Sequence, residues 1–327
     1  MSNTPFNPTR RQMLAGAAAL PILGLSARAH AETALRVGLS QPIFSFTPLD
    51  VGMEAGIFTK RGLVIEKTAF AGSAKLHQAI AAGSIDVGLG AGPEFGFLAK
   101  GAPEQAIAAM ADLPQELAIS VLKDGPIKTV ADLKGKRVSV STKGSLTEWG
   151  GQELSRQQGW GDKGINLLPL GSFGAQIAAL KTHQIDGMIV EASTAGRMEE
   201  EGVGFTLVNF RNLVPKFHIH VMYAAKSAIA EKPEAVRAFV AGWFESLDLV
   251  RSDKARATAV AAKVLDLTPT LANKLWDDIV PMYNLTGHFD PDALKAIAKA
   301  EMQMGDTEGT IDFSPYVNET FLPKRGA

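Results

Sequence analysis

The sequence predicts an α/β protein of two lobes, each lobe a mostly parallel sheet with helices on both faces. Three observations predict it. Short apolar runs with β-branched residues alternate with ten-to-fifteen-residue stretches of helical spacing, the mark of strands joined through crossover helices. The alternation breaks at Gly125-Pro126 and then restarts, and after Ser227 it gives way to helices almost throughout.

Taken in order, the first series of strands is expected at residues 35–39, 63–69, 85–89, 105–111 and 118–122. The second is expected at 137–141, 165–170, 185–190, 205–210 and 217–224, with helices at 74–82, 146–158 and 174–182. Gly125-Pro126 followed by Thr129 to Leu133 reads as a loop and short helix that open the second lobe, and the run 217–224 reads as the strand that returns to the first. The expected division is therefore residues 32–121 with 222–327 in one lobe and 122–221 in the other, joined by two crossing strands. Pro233, Thr268 and Pro291 stand where helices start. A single doubly wound domain with a helical tail is the other topology this pattern allows. No internal repeat or low-complexity segment is evident.

Residues 1–31 read as an export signal: Arg10-Arg11, an uncharged apolar stretch from Met13 to Leu25, then Ala29-His30-Ala31. Thr9 to Leu14 resembles the twin-arginine export consensus, the alternative being an ordinary Sec signal. That segment holds Arg10, Arg11 and Arg28 and no acid, so of the chain's 33 basic and 34 acidic side chains the remainder keeps 30 and 34, a net charge near −4. Such a balance offers nothing to nucleic acid or anionic lipid. With 46% hydrophobic and 20% charged residues and no later apolar run near the roughly 20 needed to cross a membrane, the remainder reads as globular. The chain has no cysteine, which removes disulfides, thiolate catalysis, iron–sulfur clusters, cysteine zinc sites and a lipoprotein anchor. The expectation is a periplasmic monomer.

In a parallel sheet, ligands gather beyond the carboxyl ends of the strands, where loops enter helix N-termini. Six such junctions share one chemistry, small residues beside hydroxyls: Gln41-Pro42-Ile43-Phe44, Ala71-Gly72-Ser73, Gly90-Ala91-Gly92-Pro93, Thr142-Lys143-Gly144-Ser145, Gly171-Ser172-Phe173-Gly174 and Glu191-Ala192-Ser193-Thr194. Phe44, Phe46, Phe95, Trp149 and Phe173 lie in or just after them, able to line a cavity or to fill the core. In 88–92 the glycines lack dinucleotide spacing, and Pro93 and Glu94 read as a turn into a helix. His218 and His220 alternate on an expected strand, as two ligand-facing donors, two metal ligands, or partners of hinge groups. Ser73 and His77, four apart on one helical face, are the nearest approach to a nucleophile and base. No phosphate loop, nucleophile elbow, metal-ligand spacing or cofactor motif occurs.

The order of motifs resembles the solute-binding proteins of the nitrate, sulfonate and taurine group of ABC importers, which includes relatives that bind thiamine-precursor pyrimidines. The residues that carry the likeness are Ala55-Gly56-Ile57-Phe58 with Arg61-Gly62-Leu63-Val64-Ile65, Ala71-Gly72-Ser73, and Ala82-Gly83-Ser84-Ile85-Asp86-Val87-Gly88. Further along they are residues 130–138, Gln184-Ile185-Asp186-Gly187 and residues 233–239. The resemblance implies the two-lobed periplasmic binding protein fold, a membrane permease as partner, and no catalysis. It also implies ligand contacts from Gln41 to Phe44, Gly72 with Ser73, Gly90 to Gly92, Lys143 to Ser145, and Glu191; to these the sequence reading adds Trp149, Phe173 and His218. Lys143 is the clearest cation among the loops, which speaks against sulfate or a phosphate ester. The expected ligand is a small organic anion, sulfonate- or carboxylate-like, with a neutral heterocycle as the variant. The thiamine-pyrimidine synthases resemble these receptors too, but carry a cysteine-rich iron motif that this chain lacks.

Overall fold

The computed structural model describes residues 1–2, 32–212, 217–305 and 307–324, and Glu32 onward forms one compact unit. The expected export signal, apart from its first two residues, lies outside the described residues. Among the described residues ten strands run in chain order: β1 Thr33–Leu39, β2 Leu63–Ala69, β3 Val87–Ala91, β4 Glu104–Ala111, β5 Leu117–Leu122, β6 Arg137–Val140, β7 Asn166–Pro169, β8 Gly187–Glu191, β9 Gly204–Asn209 and β10 His220–Ala225. They make two five-stranded sheets, ordered β2-β1-β3-β10-β4 and β7-β6-β8-β5-β9. In the first, β10 is antiparallel to both neighbours; in the second, β5 is. Each sheet is otherwise parallel, and each receives its antiparallel strand from the segment that arrives from the other lobe.

Helices fill the crossovers. The first lobe carries α1 Thr47–Glu54, α2 Ile57–Lys60, α3 Ser73–Ala81 and α4 Phe95–Ala99; the second carries α5 Leu146–Gln157, α6 Phe173–Lys181 and α7 Ala192–Glu200. After β10 come α8 Lys226–Glu231, α9 Pro233–Ser252, α10 Lys254–Leu265, α11 Pro269–Ile279 and α12 Pro291–Met304. Pro233 and Pro291 sit in the first turns of α9 and α12, and the Thr268 hydroxyl caps α11 by accepting from Leu271 N. Helix α9 packs on α1 so closely that a Cβ at Gly52 would stand 1.9 Å from Ser246 Oγ. No helix among the described residues is long and apolar enough to cross a membrane.

The first crossing comes earlier than the sequence suggested, and the return strand begins later. Residues 117–121, assigned above to the first lobe, are paired with β8 and β9 of the second sheet, so the chain crosses at 112–116. The return strand starts at His220 rather than Phe217, and it belongs wholly to the first sheet. Hydropathy marks a buried strand but does not say which sheet will pair with it, and that is what the boundaries depend on.

The sheets also share a clamp that the sequence reading missed. Asp86, at the turn into β3, accepts from the Arg36 backbone N–H at 2.9 Å and from its guanidinium at 3.1 and 2.6 Å. Asp186, at the turn into β8, does the same with Arg137 at 2.9, 3.1 and 3.0 Å. The second lobe is a structural repeat of the first, offset by about a hundred residues.

Candidate functional site: the chamber between the lobes

A small chamber of about 20 Å³ lies where the carboxyl ends of the parallel strands of both sheets meet. The first lobe contributes Ser40, Gln41 and Ile43 after β1, Ser73 at the start of α3, Ala91 and Glu94 after β3, and His220 at the start of β10. From the second come Ser141, Ser145, Leu146 and Thr147 between β6 and α5, and Glu191 at the end of β8. A wider groove of about 500 Å³ lies outside it, between Pro42, Phe70, Phe173, Arg197 and Asp266 among others. Gln41 lines both spaces.

The lobes touch around the chamber. Gln41 Nε2 donates to Gly171 O at 3.3 Å, and Thr142 Oγ1 accepts from Ala74 N at 3.3 Å. The second contact caps a helix across the cleft. Its own N-cap, Gly72, has no side chain to offer and adopts φ +116°, a conformation open to glycine. On the facing side Ser145 caps α5 by accepting from Glu148 N, while the Ser141, Ser145 and Thr147 hydroxyls bond one another at 2.9 to 3.1 Å. Both helix starts therefore reach the chamber with their caps already occupied.

Carboxyl groups dominate the remaining polar wall. Glu94 is fully buried; it accepts from Ser73 Oγ and contacts His77 Nε2 at 2.7 Å. His77, 3% exposed, meets Glu104 through Nδ1 at 2.7 Å and stacks on Phe97 at 4.5 Å. Burial pushes its pKa down, but the two carboxylates outweigh that and raise it to about 9. Behind the chamber, Glu116 on the first crossing holds His220 Nε2 at 2.9 Å and accepts from the Ser45 backbone N–H. Glu191 is 5% exposed, and its Oε2 has no hydrogen-bond partner. Burial and the charge of Glu116 raise its pKa to about 8. No lysine or arginine lines the chamber.

The structure sorts the expected site residues into three groups. Gln41, Ser73, Ala91, Ser145 and Glu191 meet at the chamber, while Pro42 and Phe173 line the outer groove. Others stand at the lobe contact or support the chamber: Gly72 against Thr142, Gly144 against Phe97, Gly90 with its carbonyl facing His220 Nδ1 and no Cβ to obstruct Glu94. The rest lie elsewhere. Phe44 is core, Trp149 stacks on Phe217 at 4.5 Å, Gly92 packs against the His218 carbonyl, and Lys143 is exposed to solvent.

His218 precedes β10 and does not share a strand face with His220. Its Nδ1 donates to Asp112 at 2.7 Å and its Nε2 accepts from Asp290 N at 2.8 Å, so it ties one crossing segment to the other. Ser73 and His77 each bond Glu94 rather than one another, so no nucleophile–base contact forms. Sequence reasoning missed Glu94 and Glu116 as parts of the site, and offered His220 only as one reading of the His218–His220 pair. Glu94 reads as an ordinary first-turn acid, whereas the fold turns it inward onto His77.

Comparison with known proteins follows the same lines. A protein of Haemophilus influenzae described as a candidate thiamine biosynthesis protein is 23% identical over 278 residues, covering 82% of this chain and 86% of its own length. Among solved structures, the alkanesulfonate-binding protein SsuA from Xanthomonas axonopodis pv. citri, bound to MOPS, superposes with a TM-score of 0.76 at 20% identity, covering 87% of this chain and 97% of its own. The periplasmic nitrate-binding protein NrtA from Synechocystis does so with a TM-score of 0.69 at 14% identity, covering 88% and 87%. The two solved structures share the two-lobed fold of this chain. The model of the NMT1/THI5 like family matches residues 43–257, and the chain with its paired sheets and inter-lobe chamber belongs to that family.

Proposed function

We propose that this protein is the solute-binding component of an ABC importer, exported to the periplasm, where it captures a small solute between its lobes and delivers it to a membrane permease. The observation that carries the reading is a buried polar chamber built from both sheets and sealed by contacts across the cleft. A space of about 20 Å³ holds little more than one water. A solute therefore enters by parting the lobes, and the chain passes from one sheet to the other between β4 and β5 and again between β9 and β10. A ligand that touches both walls stabilises the shut form, whereas one held by a single wall shifts nothing.

The sequence expectation of a small organic anion draws support from the fold relatives named for alkanesulfonate and nitrate. The chamber walls favour a different class. The chamber is lined by two carboxyl side chains and by no lysine or arginine, so an anion finds no permanently charged partner there, whereas a ligand N–H finds Glu191 Oε2 without a partner. Thermal denaturation with a panel of sulfonates, carboxylates, nitrate, amidines and pyrimidines tests the receptor reading, since a compound that binds only the folded form raises the midpoint. Small-angle scattering should show compaction with the same compound. If no member of the panel does either, the reading fails.

A further inference from the structure

We infer that the chamber recognises a compact nitrogen cation of the amidinium or guanidinium type, with Glu191 as the residue that receives its N–H. This rests on the receptor reading above and names the class of solute. Two independent observations carry it. The first is the composition of the wall: Glu94 and Glu191 face the chamber and Glu116 stands behind it, with no lysine or arginine among the lining residues, while Arg197 lines the outer groove beside Asp266. The second is the state of individual acceptors. Glu94 has both oxygens engaged, by Ser73 and His77, and His220 has both ring nitrogens turned to acceptors, Glu116 and the Gly90 carbonyl. The hydroxyls of Ser141, Ser145 and Thr147 are engaged with one another.

Glu191 Oε2 is different. It is buried, it lines the chamber, and it has no donor. A buried carboxyl oxygen without any hydrogen-bond partner is costly, and the cost is removed when a ligand N–H takes up the ionised group. A cation supplies charge as well, and charge-assisted N–H to carboxylate bonds are the stronger kind. Glu191 also couples binding to protons. With burial and Glu116 holding it at about 8, it is mostly protonated at pH 7, and a cation beside it drives the proton off. The groups that face it are Glu116, Glu94, His220 and the hydroxyls of Ser145 and Thr147, none of them a lysine or arginine.

The test is isothermal titration calorimetry at pH 7 on the chain without its first 31 residues, with acetamidinium and guanidinium at low millimolar concentration against methanesulfonate and acetate. The expected result is saturable binding of at least one cation, none of the anions, and an observed enthalpy that differs between phosphate and Tris buffers because close to one proton is released. Glu191→Gln should weaken the cation at least tenfold and abolish the buffer dependence, while its thermal midpoint without ligand stays equal or rises, which separates lost recognition from lost folding. Glu191→Ala should weaken binding likewise. Tight binding of an anion but neither cation overturns this assignment and leaves the receptor reading intact. So does cation binding that Glu191→Gln does not weaken. Absence of binding by any compound of either panel, with no compaction, overturns both.

Discussion

In the first lobe the Asp86 carboxylate sits 4% exposed and takes Lys232 Nζ at 3.1 Å in addition to Arg36; in the second, Asp186 is 23% exposed and bonds Arg137, with Lys136 acting on it only through space. The clamp is otherwise the same, down to the second guanidinium contact, which goes to Gly83 O in one lobe and His183 O in the other. Each aspartate carboxyl is held below its ordinary range by its arginine, though burial opposes the shift. What differs is cover. Lys232 precedes α9, which packs on the first lobe after the chain returns; α11 reaches α7 of the second lobe, but among the described residues no lysine of the C-terminal helices bonds Asp186. One junction, repeated in two surroundings, gives an internal control for what burial adds.

The largest expected effect comes from neutralising each clamp. Asp86 is buried, but Arg36 and Lys232 are 37% and 30% exposed, so losing its charge costs less than in a fully buried pair, about 3 kcal/mol, while a pair near solvent is worth about 1. Asp86→Asn should therefore destabilise the protein more than Asp186→Asn in urea unfolding. Equal losses would mean that the clamp works through its backbone hydrogen bond, which both lobes make at 2.9 Å, and not through buried charge.

A second contrast lies one helix away. His77 of α3 is matched in α6 by Ile177, so the imidazole between two carboxylates belongs to the first lobe alone. With its pKa at about 9 against an unfolded value near 6.5, the folded state keeps a proton that the unfolded state gives up between those pH values. Its stabilisation is full below pH 6.5 and is lost as pH rises to 9, a change of roughly 3 kcal/mol. Glu191, at about 8, acts in the same direction from about pH 4.5 upward. The melting temperature should fall between pH 6.5 and 9, and His77→Gln should flatten that slope. A slope unchanged in the variant would locate the proton elsewhere.

Closure offers the next test. A Cβ at Gly72 would lie 2.4 Å from Thr142 Cγ2 in the other lobe, and φ +116° is closed to alanine. Gly72→Ala should cost about 2 kcal/mol and leave the lobes apart in scattering with or without solute. Gly83→Ala, with nothing within 4 Å of its Cβ, should leave closure untouched. If Gly72→Ala still compacts with solute, the Ala74–Thr142 cap is not part of the shut form.

The ten strands among the described residues fall on the apolar runs marked above, because a short apolar, β-branched run is written locally in each segment. The repeat was illegible for the opposite reason. Between residues 72–88 and 172–188 only Ala79, Ile85 and Asp86 find identical partners, and the arginines they clamp lie about fifty residues upstream. The junction loops were legible as chemistry, glycine and serine at helix starts, and five of the expected residues do meet at the chamber. Its charge was not legible. Glu94, Glu116 and His220 are separated by up to 126 residues, and only the pairing of β10 between β3 and β4 brings them together.

The smallest difference between the lobes is at the turn before each aspartate. Gly83 adopts φ +71° freely, whereas His183 holds φ +58°, a left-handed conformation that costs an L residue roughly 1 kcal/mol. His183→Gly relieves that strain but gives the unfolded chain more freedom, which returns part of the gain. The net expected change is a stabilisation of about 0.5 kcal/mol, and Gly83→Ala should destabilise by about 1 kcal/mol, both read by urea unfolding. The Arg137 guanidinium bonds the His183 carbonyl at 3.0 Å, a backbone contact that glycine keeps. Destabilisation by His183→Gly would therefore show that the imidazole itself supports the second clamp, making the two turns different in kind and not only in strain.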